Sequence, residues 1–165
     1  MTLTECPVPQ DAFLARYVGQ GATFTDCFVA DIGRGVTLEE YLEAFYTTPL
    51  FRAERAVLTV ILRRRITSNE LSQMVIGAQD RFAAWYVEAR SDDQIILCDL
   101  LGSTRSWFSV NAIAGGTRLS FGSAVVAPSQ PRLPFAARLA MPFHRAYAQA
   151  LLRAAHRRLS RASKR

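Results

Sequence analysis

Two histidines are the residues of this sequence best suited to proton transfer near neutral pH. His144 follows Pro142 close to the start of a predicted final helix, and His156 lies twelve residues later. Imidazole titrates within the physiological range, so His144 is a candidate general acid or base. Neither histidine has an acidic residue three or four positions further on. A helical zinc site is therefore not predicted, and no metal is expected.

Asp99 and Arg105 flank a predicted turn between two strands and are further candidates for chemistry. In an enzyme of the cyclase or isomerase type, Asp99 would move a proton and Arg105 would steady an oxyanion. Gly33 and Gly35 resemble the opening of a dinucleotide-binding loop, but Leu38 occupies the position of the third glycine. The sequence also lacks a Gly-x-Ser-x-Gly nucleophile elbow. We predict no cofactor and no serine hydrolase.

Aromatic residues on predicted strands and on the final helix are candidates for binding an apolar ligand. Residues of like parity share one face of a strand, so Arg105 and Trp107 point away from Phe108. If the Arg105 face is concave, Trp107 forms an aromatic floor beside a cation, which suits an amphipathic acid or an aromatic ligand. The alternative is that these rings fill the core and Arg105 faces solvent. The candidate ligand-binding residues are Trp85, Tyr86, Trp107, Phe108, Phe143 and Tyr147.

The net charge of +6 belongs to one end of the sequence. Residues 153–165 contain six basic side chains and no acidic one, whereas residues 1–152 contain fourteen of each sign. No aromatic residues are interleaved with these basic ones, so the tail permits only weak, salt-sensitive contact with nucleic acid or acidic lipid. No specific nucleic-acid partner is predicted.

Cysteine usage and hydropathy indicate a reducing compartment. The three cysteines, Cys6, Cys27 and Cys98, are odd in number and widely separated, and no two of them form a C-x-x-C pair. Residues 1–10 carry no apolar region typical of a signal peptide. The apolar run 56–62 is too short to span a bilayer. We expect a cytoplasmic protein without a transmembrane segment.

Hydrophobic periodicity and turn residues predict one early strand, three helices, four consecutive strands and a long final helix. Thr37 begins the first helix with a capping box that pairs it with Glu40. Thr48 caps the second helix, and Ser68 or Asn69 caps a short third one. The predicted strands are 23–32, 82–90, 94–101, 104–113 and 117–126, and the final helix covers about 134–159.

This order of elements predicts an α+β fold of the helix-grip kind. An antiparallel sheet with a large apolar face needs a cover, and the final helix is the largest element available. We expect the curved sheet to wrap around this helix, which Pro142 must kink or divide. Residues 1–165 are predicted to form one domain, with a basic tail that frays from about residue 160.

Three stretches of the sequence resemble a bacterial family of unknown function within the START-like (SRPBCC) superfamily, which includes polyketide cyclases. Residues 82–97 resemble a strand, an acidic turn and the next strand of that family; residues 116–120 and 141–145 resemble its last strand and the start of its final helix. Residues 103–105 stand where that family carries a polar His-x-Asp-like stretch. The resemblance covers most of residues 23–160. It implies a cavity between sheet and final helix that holds an apolar or amphipathic small molecule.

Three functions follow from these residues as alternatives. The leading hypothesis is a protein that binds an apolar or amphipathic small molecule between the sheet and the final helix. The second is a cyclase- or isomerase-type enzyme in the same cavity, which uses Asp99 or His144 together with Arg105. The third is an interaction domain whose cavity is filled by its own side chains. We also expect homodimerisation, through an exposed sheet edge or the second helix.

Overall fold

The computed structural model describes residues 2–61, 63, 66–127 and 135–162. Within this part of the chain, strands and helices combine into an α+β fold. The strands are β1 (Leu3–Glu5), β2 (Phe24–Ile32), β3 (Arg81–Phe82), β4 (Trp85–Arg90), β5 (Gln94–Asp99), β6 (Thr104–Ile113) and β7 (Gly116–Val125). The helices are α1 (Leu38–Tyr46), α2 (Pro49–Ile61), α3 (Ser68–Val75) and α4 (Phe135–Ala162), and a short 3-10 helix, Phe13–Tyr17, lies between β1 and β2.

The strands form one open antiparallel sheet in the order β1-β2-β7-β6-β5-β4-β3. The predicted four-strand meander is confirmed as β4 to β7, in which consecutive strands pair with each other. Gly102 and Gly115 lie in the turns before and after β6 at φ angles of 68° and 79°, which glycine adopts without steric cost. β2 extends the sheet because it pairs with β7 along its whole length.

Local capping residues explain where the first two helices begin. The predicted capping box is present: Thr37 Oγ1 accepts from Glu40 N at 3.2 Å, and the Glu40 carboxylate accepts from Thr37 N at 3.1 Å. At the start of α2, Thr48 Oγ1 accepts from the Phe51 amide at 3.2 Å. These hydrogen bonds satisfy amides that no preceding helical turn can reach.

One predicted helix boundary needs correction, and one of the two alternatives predicted for α4 is excluded. The N-cap of α3 is Thr67, whose hydroxyl accepts from the amide three residues on at 3.2 Å, so neither Ser68 nor Asn69 caps this helix. Thr67 has extended backbone angles, while the two residues after it are already helical. α4 continues as one helix through Pro142 to its end at Ala162, so the proline does not divide it. Among the described helices, none combines the length and apolar character needed to cross a membrane.

One side of the sheet, called here the inner face, packs against α1 and α4. Its aromatic rings meet edge to face, as Phe45 and Phe108 do at 4.7 Å between centroids. The buried Tyr41 hydroxyl donates to the Ser120 carbonyl at 3.1 Å, so burial of this ring leaves no unpaired donor. The aromatic cluster of this core comprises Tyr41, Phe45, Tyr46, Phe51, Phe82, Phe108 and Phe121.

The opposite side, called here the outer face, is covered by residues 6–17, which we name the N-terminal segment. Leu14 of this segment is fully buried in a second apolar cluster with Cys27, Ile96 and Trp107. No helix or strand was predicted for this part of the chain. The central strands are therefore covered on both faces, which explains why β5 carries four consecutive buried residues rather than an alternating pattern.

A β-bulge in β4 redirects two side chains. The pairing of β4 with β5 shifts between Val87 and Ala89, which makes Glu88 the extra residue. Strand alternation predicted that Trp85, Val87 and Ala89 share a face. Trp85 and Val87 do pack against the inner core, but Ala89 packs against the outer cluster. The bulge leaves Glu88 on the outer face as well, where it meets Arg105.

Candidate functional site

The six predicted ligand-binding residues are distributed over both faces of the sheet and over α4. Trp107 belongs to the outer cluster, and Tyr86 lies on the same face because the strand register aligns it with Cys98 and Arg105. Phe143 is 77% exposed on α4. Those that pack in the inner core are Trp85, Phe108 and Tyr147. These six residues therefore do not line one common cavity.

The three predicted catalytic residues occupy separate hydrogen-bond networks. Asp99 Oδ1 accepts from the backbone amides of Ser103 at 2.7 Å and Thr104 at 3.1 Å. A carboxylate that satisfies two backbone amides in a β-turn stabilises the turn between β5 and β6. Arg105 and His144 bind other partners, on opposite faces of the sheet.

Arg105 lies in a charged network on the outer face. Its Nε atom is 2.5 Å from Glu88 Oε2 and 2.9 Å from the Tyr17 hydroxyl. Tyr17 in turn donates to Glu88 Oε1 at 2.6 Å, and Arg16 approaches the same oxygen at 3.4 Å. Burial raises the pKa of Tyr17, and its hydrogen bond to Glu88 adds to this rise. Arg105 thus fastens the end of the N-terminal segment to β4 and β6, with its charge balanced by Glu88.

His144 lies at the inner face in a chain of three polar side chains. Its Nε2 atom is 2.8 Å from Ser123 Oγ, and the Ser123 hydroxyl donates to Asp26 Oδ1 at 2.5 Å. A serine hydroxyl carries one proton, so His144 must donate to Ser123 while Ser123 donates to Asp26. Ser123 is 1% exposed and Asp26 4% exposed, so neither meets a substrate in solution.

Asp26 is the acid of this chain of side chains, and it is buried. Burial raises the pKa of the Asp26 carboxyl, while the Ser123 hydrogen bond and the charge of His144 oppose the rise. Its Oδ2 atom is buried without a hydrogen-bond partner among the described residues. The arrangement is suited to joining α4 to β2 and β7 and to holding a proton, rather than to attacking a substrate.

A groove of about 380 Å³ lies on the outer face between the N-terminal segment and the sheet. Trp107 lines its floor, and the indole Nε1 donates to Gln94 Oε1 at 2.9 Å. The same Gln94 oxygen accepts from the Phe13 amide at 2.9 Å, and Gln94 Nε2 donates to the Asp11 carbonyl at 3.3 Å. Gln94 therefore fixes the wall of the groove relative to its floor.

The lining of the groove combines apolar and polar groups. Ser109 Oγ donates to Asn111 Oδ1 at 2.9 Å, and the two strands place Ser120 directly opposite Ser109. Arg118 is paired with Asp31 through two hydrogen bonds of 2.8 and 2.9 Å, so its positive charge is already balanced. The lining residues are Cys6, Pro7, Pro9, Asp11, Ala12, Val29, Asp93, Gln94, Trp107, Ser109, Asn111, Ile113, Arg118 and Ser120.

Sequence reasoning identified Trp107 as a candidate but missed the residues that complete this groove. Its wall comes from the N-terminal segment, where Pro7 and Pro9 disfavour regular structure. The run of apolar residues Ala12, Phe13 and Leu14 was a local sign that this segment packs against something. Among the described residues, no group of three or more His, Cys, Asp or Glu side chains is placed to hold a metal ion. No protein-family model, curated protein or solved structure matches this chain.

Proposed function

We propose that this protein binds a small amphipathic molecule in the outer-face groove that Trp107 lines. The observation that supports this proposal is the half-open groove itself, which has a volume of about 380 Å³, an indole at its floor and fixed polar groups around it. Pockets that hold small ligands typically measure roughly 300–1,000 Å³ and combine an apolar lining with a few positioned polar groups. The groove has both properties.

This proposal moves the ligand from the inner to the outer face of the sheet. The sequence favoured a cavity between the sheet and the final helix, but on this inner face rings of α1 pack against rings of β6 and β7, and α4 adds Leu151, Leu152 and Ala155 to the same core. Asp99, Arg105 and His144 are each engaged in a different network, so the geometry favours binding over catalysis. A serine, a histidine and an acid do meet, but with the serine buried between the other two.

The charges around the groove favour a ligand with a positively charged or hydrogen-donating end. Asp11 and Asp93 are exposed carboxylates in the lining, whereas the charge of Arg118 is balanced by Asp31. The apolar part of the ligand would lie mainly on the aliphatic and proline side chains of the lining and would meet only the small accessible part of Trp107, which is 2% exposed. We therefore propose an aromatic or alkyl amine in preference to the corresponding carboxylate.

We also propose that the fold is a START-like helix grip in a protein of the cytoplasm. In support of the fold, α4 supplies Leu151, Leu152, Ala155 and Leu159 to the inner core and packs against β2, β7 and α1. The uneven number of cysteines supports a reducing compartment. An experimental structure in which the sheet stays flat beside α4 would contradict the helix-grip part of this proposal.

The test uses Trp107 as a reporter, because the sequence contains only two tryptophans. In the Trp85→Phe variant, all tryptophan emission comes from the groove; in the matched Trp107→Phe variant, it comes from the inner face. We expect 4-phenylbutylamine to change the emission of Trp85→Phe saturably and that of Trp107→Phe little. The charge-inverted probe 4-phenylbutyrate should bind more weakly. Insensitivity of Trp107 to both probes, together with no copurifying small molecule in native mass spectrometry, would overturn the proposal.

A further inference from the structure

Cys6 and Cys27 face each other where β1 runs into the N-terminal segment. The register of β1 with β2 pairs Glu5 with Phe28, so its next step places Cys6 opposite Cys27. The Cys6 amide donates to the Cys27 carbonyl at 3.0 Å, and the two Sγ atoms are 3.4 Å apart. Residues directly opposite in an antiparallel pair have Cα atoms about 4.5–5.5 Å apart, which lies within the range that a disulfide spans.

The two thiols differ in their access to reagents. Cys27 is 1% exposed, whereas Cys6 is partly exposed and lines three neighbouring hollows of about 380, 590 and 480 Å³. Burial raises the pKa of Cys27 far above its usual range, and the neighbouring Cys6 thiol adds to this rise. A small reagent therefore meets the thiol of Cys6 first. The third cysteine, Cys98, is fully buried on β5.

We propose that Cys6 and Cys27 form a reversible dithiol–disulfide couple that exchanges with small disulfides of the glutathione class. The Cys6 thiolate attacks one sulfur of the small disulfide, which forms a mixed disulfide and expels one thiolate. Cys27 then attacks Cys6 Sγ, loses its proton and expels the second thiolate, so that a Cys6–Cys27 bond remains. The protein loses two hydrogen atoms, and the small disulfide is reduced to two thiols.

The bond would fasten the start of the N-terminal segment covalently to β2. This segment carries Leu14 into the outer cluster and forms one wall of the groove. The couple concerns covalent chemistry and does not depend on ligand binding in the groove.

The experiment incubates the folded, full-length protein with mixtures of reduced and oxidised glutathione, followed by acid quenching, alkylation and mass spectrometry. Trypsin cleavage after Arg16, Arg34, Arg90 and Arg105 places the three cysteines in separate peptides, 1–16, 17–34 and 91–105. We expect the closed protein to carry a single alkyl group, on Cys98, where the reduced protein carries three, and peptides 1–16 and 17–34 to be linked. The fraction of protein with the Cys6–Cys27 bond should rise from one-tenth to nine-tenths over about an eighty-fold change in the redox ratio, as for any two-electron couple. This ratio is the concentration of oxidised glutathione divided by the square of the concentration of reduced glutathione.

Matched variants separate the two steps. Cys27→Ser should stop at the mixed disulfide on Cys6, about 305 Da heavier, because it lacks the resolving thiol. Cys6→Ser should leave Cys27 reduced, and Cys98→Ser should close as the unsubstituted protein does. Three outcomes would overturn the proposal: a mixed disulfide that persists on Cys6 in the unsubstituted protein, a linkage that involves Cys98 or a second molecule, or two free thiols even when oxidised glutathione predominates.

Discussion

Gly122 provides the sharpest test of how the N-terminal segment is seated. A Cβ atom at this position would lie 2.6 Å from Leu14 Cδ2, 2.9 Å from the Asp26 carbonyl oxygen and 3.1 Å from Trp107 Cε3. The first contact is with the end of a side chain, but the second is with backbone paired in the β2–β7 ladder and the third with a fully packed ring. Because two of these neighbours cannot yield cheaply, we expect Gly122→Ala to lower the free energy of unfolding by about 2–3 kcal/mol, the upper part of the range for overpacking.

Gly35→Ala is the matched control. A Cβ at Gly35 meets nothing within 4 Å, and the backbone there lies outside the left-handed region. This variant should leave stability unchanged or raise it by up to about 1 kcal/mol, because alanine restricts the unfolded chain. Urea unfolding followed by far-ultraviolet circular dichroism measures both variants, and equal m-values would show that the unfolded states are comparable.

A double-mutant cycle with Leu14 isolates the proposed contact. Leu14→Ala alone should cost about 2–5 kcal/mol, since Leu14 is fully buried. In the double variant the clash with Leu14 is gone but those with the Asp26 carbonyl and Trp107 remain, so the combined loss should fall short of the sum by only about 0.5–1 kcal/mol. Strict additivity, or a Gly122→Ala variant as stable as the unsubstituted protein, would refute the reasoning.

Four further substitutions test the polar networks by the same unfolding assay. Arg105→Gln should cost about 1–3 kcal/mol of unfolding free energy, because Glu88 loses its close cation in a largely buried position and keeps only the more distant Arg16. Glu88→Gln in the same chain should recover part of this loss, and no recovery would mean that the pair is not coupled. Burial raises the pKa of Asp26 in the folded protein above its unfolded value of about 3.9. The unsubstituted protein should therefore lose stability relative to Asp26→Asn as the pH rises from about 3.9 through the raised pKa. A difference in unfolding free energy between these two proteins that does not vary with pH would contradict this burial effect. Arg118 lowers the pKa of Asp31, so Arg118→Ala should lower the free energy of unfolding, by less than about 1 kcal/mol because the pair is exposed. This loss should be present above the unfolded pKa of Asp31 and absent once the pH falls below its folded pKa. A larger loss that salt does not screen would contradict a surface ion pair.

Elements with strong local signals could be predicted from the sequence. The Thr37–Glu40 capping box lies within four residues, so its chemistry is visible without any knowledge of the fold. The same holds for β6, whose predicted limits, 104–113, match the structure, because turn residues bound it on both sides. These features depend on contacts between residues close together in the chain.

Features that depend on distant contacts were missed. β1 has three residues and is defined only by its pairing with β2, some 25 residues away. The bulge at Glu88 moves Ala89 to the outer face, and no residue type in β4 requires it. The sequence offered His144 as an acid–base candidate, but Ser123 and Asp26 are brought to it only through the packing of α4 against β2 and β7.

Gln94 shows why the groove, if it binds a ligand, would do so with little rearrangement. A carboxamide oxygen has two acceptor sites, and in Gln94 the amide of Phe13 and the indole of Trp107 occupy both. Its nitrogen donates to the Asp11 carbonyl, so one side chain holds the floor and two points of the wall. A ligand that entered would not have to order these groups, and the free energy otherwise lost in ordering them would remain available for affinity. Gln94 is therefore a positioning residue, because the protein occupies both acceptor sites of its oxygen and one N–H of its nitrogen.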